Sequence, residues 1–387
     1  MKQKKETKPK INLYYIIWIV IGALLGFFLG EFYTVLGYPL QSFTILEGIL
    51  TFVILVTTIY FQIFLHEFGH LVFGLLSGYH FLSFRIFDFM FVKINHRIVL
   101  RKYHLNGTAG QCLMIPPEPR NGIIPATLYN MGGVIMNLLS SFIGVIFLYK
   151  YFSYTYLSLW QFSFIIIGIV MALTNGIPMV SSTVVNDGTN AIALQNNPLA
   201  NRAFYLQMKM NVLQTNGLGY KDMPDEWFQL PEDKDMDNVL IASMVVFTCS
   251  RFMEEQKFDD FCRTLDHYEK IDCALNAIHL QLMQCDRLYI EMLRGATKEE
   301  IDTKMTKAIQ KTIKAMKNYP AVMRFQYTYH LFFESDEHTL MKMKKHFNEE
   351  TKNYPYEAEV KMEKQLIMLA EETKNRNIKA KNKEEKS

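Results

Sequence analysis

The stretch FLHEFGHLVF, residues 64–73, sets His66, Glu67 and His70 inside an apolar run that begins near Ile49. On a helix, residues four apart lie one above the other. Both imidazoles can therefore reach one metal ion while Glu67, a third of a turn away, reaches a water on that metal. Two histidines and a glutamate at this spacing suit zinc-dependent hydrolysis. Zinc lowers the pKa of its water to about 7, the glutamate takes the proton, and hydroxide attacks a carbonyl that the metal polarises. The five-residue string arises by chance in roughly one chain in a hundred of this length, so its setting carries much of the argument. Ionisable groups at membrane depth are costly and point to function. The plainer alternative is a pair of histidines lining the end of a structural helix near the cytoplasmic interface.

The elements that must hold these residues are membrane helices. The charged residues are unevenly spread: residues 1–188 hold 12 of the 41 Lys and Arg and 7 of the 38 Asp and Glu. The first half reads as membrane-like and the second as soluble. With net charge +3 and a second half close to neutral, nothing suggests an electrostatic grip on nucleic acid, and no nucleic-acid partner is expected. The five cysteines, odd in number and without a C-x-x-C pair, argue against a disulfide framework or a cysteine zinc site.

Four apolar stretches reach the roughly 20 residues needed to cross a bilayer: Ile11 to Gly30, Ile49 to Leu76, Ile123 to Tyr149, and Leu157 to about Pro178. The first follows MKQKKETKPK and, lacking an A-x-A site, reads as a retained anchor. Lysines 2, 4, 5, 8 and 10 put the N-terminus in the cytoplasm, and residues 31–48 carry no Lys or Arg and should lie outside. The loop 77–122, with Arg85, Lys93, Arg97, Arg101, Lys102 and Arg120, returns to the cytoplasm, as does everything after residue 188.

Within that loop, FLSFRIFDFMFVKI and RIVLRKY have the β-branched and aromatic content of a hairpin at the membrane face. An amphipathic stretch lying on lipid headgroups is the alternative. After Gly188, segments such as VLIASMVVFTCSRFMEEQKF and HLQLMQCDRLYIEML repeat apolar residues at i, i+3, i+4 and i+7, which predicts an all-helical domain of paired helices. The end of the chain has the composition of a solvated tail.

A catalytic zinc ion takes three protein ligands and keeps one position open, so a third ligand must come from elsewhere. Acidic candidates are Glu31 and Glu47 on the outer side, Asp88 in the hairpin, and Asp187 in TNGIPMVSSTVVNDGTN. Asp187 lies on the same side of the membrane as His70 and is the best placed, although Asn186-Asp187-Gly188 also reads as a simple turn or helix cap.

HEFGH in one span, GGVIMNLL in the next, and NGIP with a later DG after the following one resemble the site-2 protease family of intramembrane zinc metalloproteases. The resemblance spans about residues 49–190. It implies that His66 and His70 are zinc ligands, Glu67 the general base, and Asp187 the third ligand. Asn175 would stand near the catalytic water or scissile carbonyl, and Gly133 to Asn137 would pack the core helices. Eight residues separate Pro178 from Asp187, where the family pattern has four. The family's PDZ module has no counterpart in this sequence.

The expected architecture is an α-helical polytopic membrane protein of about four transmembrane helices with a small membrane-associated β-hairpin, followed by an all-α cytoplasmic domain. Residues 1–48 would form the tail, anchor and external loop, 49–188 the metalloprotease core, 189–375 the helical domain and 376–387 the disordered tail. The expected function is zinc-dependent hydrolysis of peptide bonds in membrane-spanning or membrane-bound substrates, in a multi-pass protein of a bacterial cell membrane, with a protein partner for the helical domain. A substrate span must unwind before its carbonyl meets the metal, and the hairpin edge offers a strand for it to pair with. The alternatives are a catalytically inactive membrane scaffold and a metal-binding transporter.

Overall fold

The computed structural model describes residues 44–384 apart from 95–96, 104–107, 154, 180–184, 272 and 335, together with 22, 26, 30–32, 34 and 35. The expected first span, Ile11 to Gly30, falls largely outside these residues. Three helices among the described residues are long and apolar enough to cross a membrane: α1 (Ile45–Leu76), α3 (Gly132–Tyr151) and α4 (Tyr156–Gly176). Between α1 and α3 lie a four-stranded sheet and the short helix α2 (Ala126–Asn130), and α5 (Asp187–Leu194) follows α4. The chain divides into two compact units, the first built from these spans with α5, the second from residues 75–126 and the chain after 193.

In the first unit, α1 starts at a capping box in which Glu47 Oε2 accepts from the backbone N–H and hydroxyl of Thr44, both at 2.8 Å. This employs Glu47 at the helix start. Thr58, Gln62, His66 and His70 recur every four residues and are all buried, so one stripe of the helix is polar and packed inward. Phe52, Phe61 and Phe64 on the rest of its surface are exposed in the protein and available to lipid tails. Such inversion suits a membrane, where polar side chains find partners only on neighbouring helices. Small residues allow the close approach this needs. A Cβ at Gly69 would stand 2.3 Å from the Gly132 carbonyl oxygen, so α1 and α3 meet backbone to backbone beside the histidines.

The second unit begins with the sheet: β1 (His80–Ile86), β2 (Phe89–Ile94), β3 (Arg97–Lys102) and β4 (Gly110–Ile115), antiparallel throughout in the order β3-β2-β1-β4. The hairpin segments of the sequence form β1 to β3, and β4 completes the sheet on the other side of β1. GQCLMI is too short and too continuously apolar to declare a period, which hides β4 from sequence reasoning. Its burial alternates at Cys112 and Met114, as expected of a half-buried strand.

The rest of the unit is helical, from α6 (Pro198–Thr215), which packs on β4, through α7 (Val239–Glu254), α8 (Phe258–Tyr268), α9 (Ala277–Leu293), α10 (Lys298–Lys304), α11 (Lys307–Ala315), α12 (Pro320–Phe333) and α13 (Glu337–Thr351) to α14 (Glu357–Glu384). Helix starts are set by side-chain caps at Asn197, Asn238, Asn276, Thr297, Thr306 and Asp336. The last helix runs on to Glu384, through most of the stretch read as a disordered tail. Its Lys, Glu, Asn and Ala content includes good helix formers, and continuing an existing helix avoids the cost of nucleation.

The centre of this unit is charged. Arg324, fully buried, pairs with Glu363 at 2.5 Å and with Asp286, and its guanidinium lies 4.3 Å from the centre of the Tyr289 ring. One turn of α14 before Glu363, Glu359 accepts from the Tyr354 hydroxyl at 3.0 Å. Burial, reinforced by the charge of Glu363, pushes the Glu359 carboxyl from its ordinary 4.5 up to about 7, with hydrogen bonds from Tyr319 and Tyr354 pulling the other way. Between those two values the folded chain holds a proton that the unfolded chain has released, so stability falls as pH rises through this window and levels off above it. The thermal midpoint of the solubilised chain is therefore expected to drop by about 2–5 °C between pH 5 and pH 8. Glu359→Gln should flatten that dependence, and an unchanged slope in the variant would contradict the assignment.

Candidate metal centre

The centre is built from α1, the start of α3 and the region joining α4 to α5. His66 Nε2 lies 3.0 Å from Asp187 Oδ2, His70 Nε2 lies 3.4 Å from the same oxygen, and the two Nε2 atoms are 3.3 Å apart. Among the described residues, these three form the one group of His, Cys, Asp and Glu side chains placed to share a metal ion. Ligand atoms about 2.0–2.2 Å from a tetrahedral zinc ion stand about 3.3–3.6 Å from one another. The observed triangle is close to one face of that tetrahedron.

The outer nitrogens of both rings are engaged. His66 Nδ1 is 2.6 Å from Asn137 Oδ1, and His70 Nδ1 is 2.9 Å from the Tyr129 carbonyl oxygen. A carbonyl can only accept, so Nδ1 of His70 carries a proton, and in a neutral ring Nε2 then presents its lone pair to Asp187. Asp187 Oδ2 is itself buried and makes no well-aligned hydrogen bond. Electron pairs converging on one point call for positive charge between them, which a zinc ion held by these residues and their supporting hydrogen bonds would supply. The residues present fit a zinc ion.

Packing fixes the rings. A Cβ at Gly133 would fall 2.5 Å from His66 Cε1, so the ring lies flat against the α3 backbone. Glu67 is buried on the same helix.

Asp187 reaches the histidines in spite of the long connection from Pro178. Asn186 closes the loop: its amide donates to the carbonyls of Thr174 at 2.9 Å and Ile177 at 2.6 Å, while its oxygen accepts from the Met179 and Thr189 backbone N–H groups. The ends of the connection are thereby tied together at its base. Gly188 completes the seat, since a Cβ there would meet the Gly176 carbonyl oxygen at 2.1 Å. Asp187 itself is the first residue of α5, so the turn or cap that its sequence suggests and a position facing both histidines coexist.

Two consequences are testable here. Asp187→Asn exchanges a carboxylate for a poorer metal ligand and is expected to weaken zinc binding at least tenfold. Removing four residues from 180–184 spares the Asn186 hydrogen bonds to Thr174, Ile177, Met179 and Thr189 and is expected to retain zinc; a deletion that abolishes binding would contradict this account of the loop.

Of the other predicted residues, Asn175 donates its amide to the Met171 carbonyl at 2.9 Å, one turn back on α4. Asp88 sits between β1 and β2 in the second unit and does not belong to the metal-ligating group. The residues that sequence reasoning missed are Asn137, placed there only in a packing segment, and the Tyr129 carbonyl. A lone Asn one turn after Gly133 was the only available signal for the first, and a backbone carbonyl gives none. Comparison with family models, with curated proteins and with solved structures finds no match.

Proposed function

We infer that the protein is a membrane-embedded zinc endopeptidase that hydrolyses peptide bonds of membrane-spanning or membrane-bound substrates. The observation that carries this reading is the convergence of His66 Nε2, His70 Nε2 and Asp187 Oδ2, two of them on a helix apolar and long enough to cross a membrane. Glu67, between the two histidines in sequence, supplies the base. When bound, zinc supplies a Lewis acid for the scissile carbonyl and lowers the pKa of a coordinated water.

The chain's own residues do the rest. His66 and His70 offer neutral imidazole nitrogens, Asp187 offers the carboxylate, and Glu67 accepts and returns the proton. Close packing around Gly69, Gly132 and Gly133 keeps bulk water from the buried side of the rings. His66 lies ten residues, about 15 Å, before the end of α1, so a substrate helix must unwind locally to bring a carbonyl to this depth. The Lys and Arg distribution puts the N-terminus and the helical half in the cytoplasm, with the site nearer that face.

Mapping new N-termini in membranes of cells that make the protein, against cells that do not, tests the reading. Termini within or beside apolar spans are expected, and their absence for every membrane protein detected would count against peptidase activity.

A further inference from the structure

Behind His66 runs a chain of amides that ends on a helix backbone. Gln62, one turn before His66, is fully buried, as is Asn137 on α3. Gln62 Nε2 is 2.9 Å from the Phe164 carbonyl oxygen of α4. That oxygen can only accept, so the amide must turn its NH2 toward it and its Oε1 away. Oε1 then faces Asn137 Nδ2 at 2.8 Å, and the same NH2 also reaches the Gln62 backbone oxygen at 3.1 Å. With its nitrogen thus committed, Asn137 has only Oδ1 to offer His66 Nδ1 at 2.6 Å. Nδ1 must therefore carry the proton. Reversing any amide would bring like atoms together at a place where no solvent can compensate.

We propose that Gln62 and Asn137 are positioning residues that hold His66 in its Nδ1–H tautomer, so that Nε2 is kept free for the metal, with the Phe164 carbonyl as the fixed reference. The inference rests on the zinc-site reading for its consequence, but the tautomer itself is a property of the metal-free chain. Room for the relay is made by Gly168: a Cβ there would come 2.7 Å from Gln62 Nε2 and 2.2 Å from Ser141 Oγ. Neither Gln62 nor Gly168 belongs to the H-E-x-x-H pattern, and the contacts cross 71 to 102 positions of sequence.

The device has a distinctive genetic signature. An asparagine can present either end to His66 and needs its neighbours to choose; an ionised aspartate can only accept from Nδ1–H, whichever way it turns. Asn137→Leu is expected to weaken zinc binding about 10- to 100-fold and Gln62→Met about tenfold, as for other outer-shell partners of metal-bound histidines. Asn137→Asp should stay within about threefold of wild type, and adding Gln62→Met to it should change little, a non-additive pattern. If these amides merely join helices, Asn137→Asp, which loses the same donors to Gln62, should fare as badly as Asn137→Leu.

The experiment uses the full chain in lipid bilayers, with zinc affinity measured by chelator competition and the His66 ring read by 15N spectra of the zinc-free protein. Nδ1–H in wild type, together with rescue by aspartate, supports the relay. Wild type that binds zinc but shows an Nε2–H or mixed tautomer, or affinities unmoved in Asn137→Leu and Gln62→Met, overturns the relay and leaves the zinc site standing. Wild type that binds no zinc overturns the site and with it the consequence claimed for the relay.

Discussion

His66→Ala and His70→Ala are each expected to empty the centre at ordinary zinc concentrations. Four-ligand zinc sites in small peptides are worth roughly 10–16 kcal/mol, so losing one imidazole should cost about 3–4 kcal/mol, a factor of roughly 10²–10³ in affinity. The vacated positions cannot be filled locally, because no further His, Cys, Asp or Glu among the described residues joins the group. Zinc content per chain after dialysis against a weak chelator reads the effect directly. The folded helical unit gives an internal control, since its own core around Arg324 and Glu363 involves neither histidine. A variant that keeps full zinc content would remove the assignment of that ligand.

Glu67→Gln should separate binding from turnover. Glutamine keeps the volume of the buried side chain and leaves the three ligand atoms unchanged, so the zinc content should equal that of wild type. Without a carboxylate to take the proton, cleavage should fall by about 10²–10⁴, the usual worth of a positioned general base. This variant also divides the readings by class. In a scaffold that uses the metal only for shape, Glu67→Gln would be silent, and in a transporter it would alter metal flux. Loss of cleavage with zinc retained is the outcome that an endopeptidase requires.

Much of the centre was legible because part of it is local. His66 and His70 share a helix face by spacing alone, and the apolar run around them announces the membrane. Asp187 was legible as the acidic residue on the same side of the membrane as His70 and as the aspartate of the D-G pair that follows Asn175 and Pro178. What brings it in, the clasp of Asn186 on both ends of the loop, joins positions 174 to 189 and has no periodic signature. Asn137 and Gln62 were invisible in their roles because those depend on which helix faces which, and a sequence without that knowledge shows two isolated amides. The three described spans follow from length and hydropathy. The sheet's fourth strand and its association with the helical half do not, because pairing across the 104–107 connection leaves no local trace.

X-ray absorption at the zinc edge of the purified full-length protein tests the central claim most directly. The expected result is one zinc ion per chain, with only nitrogen and oxygen neighbours at about 2.0–2.2 Å, two of them from imidazole. A chain that takes up no zinc, or one whose zinc has sulfur neighbours, would contradict a centre made by His66, His70 and Asp187.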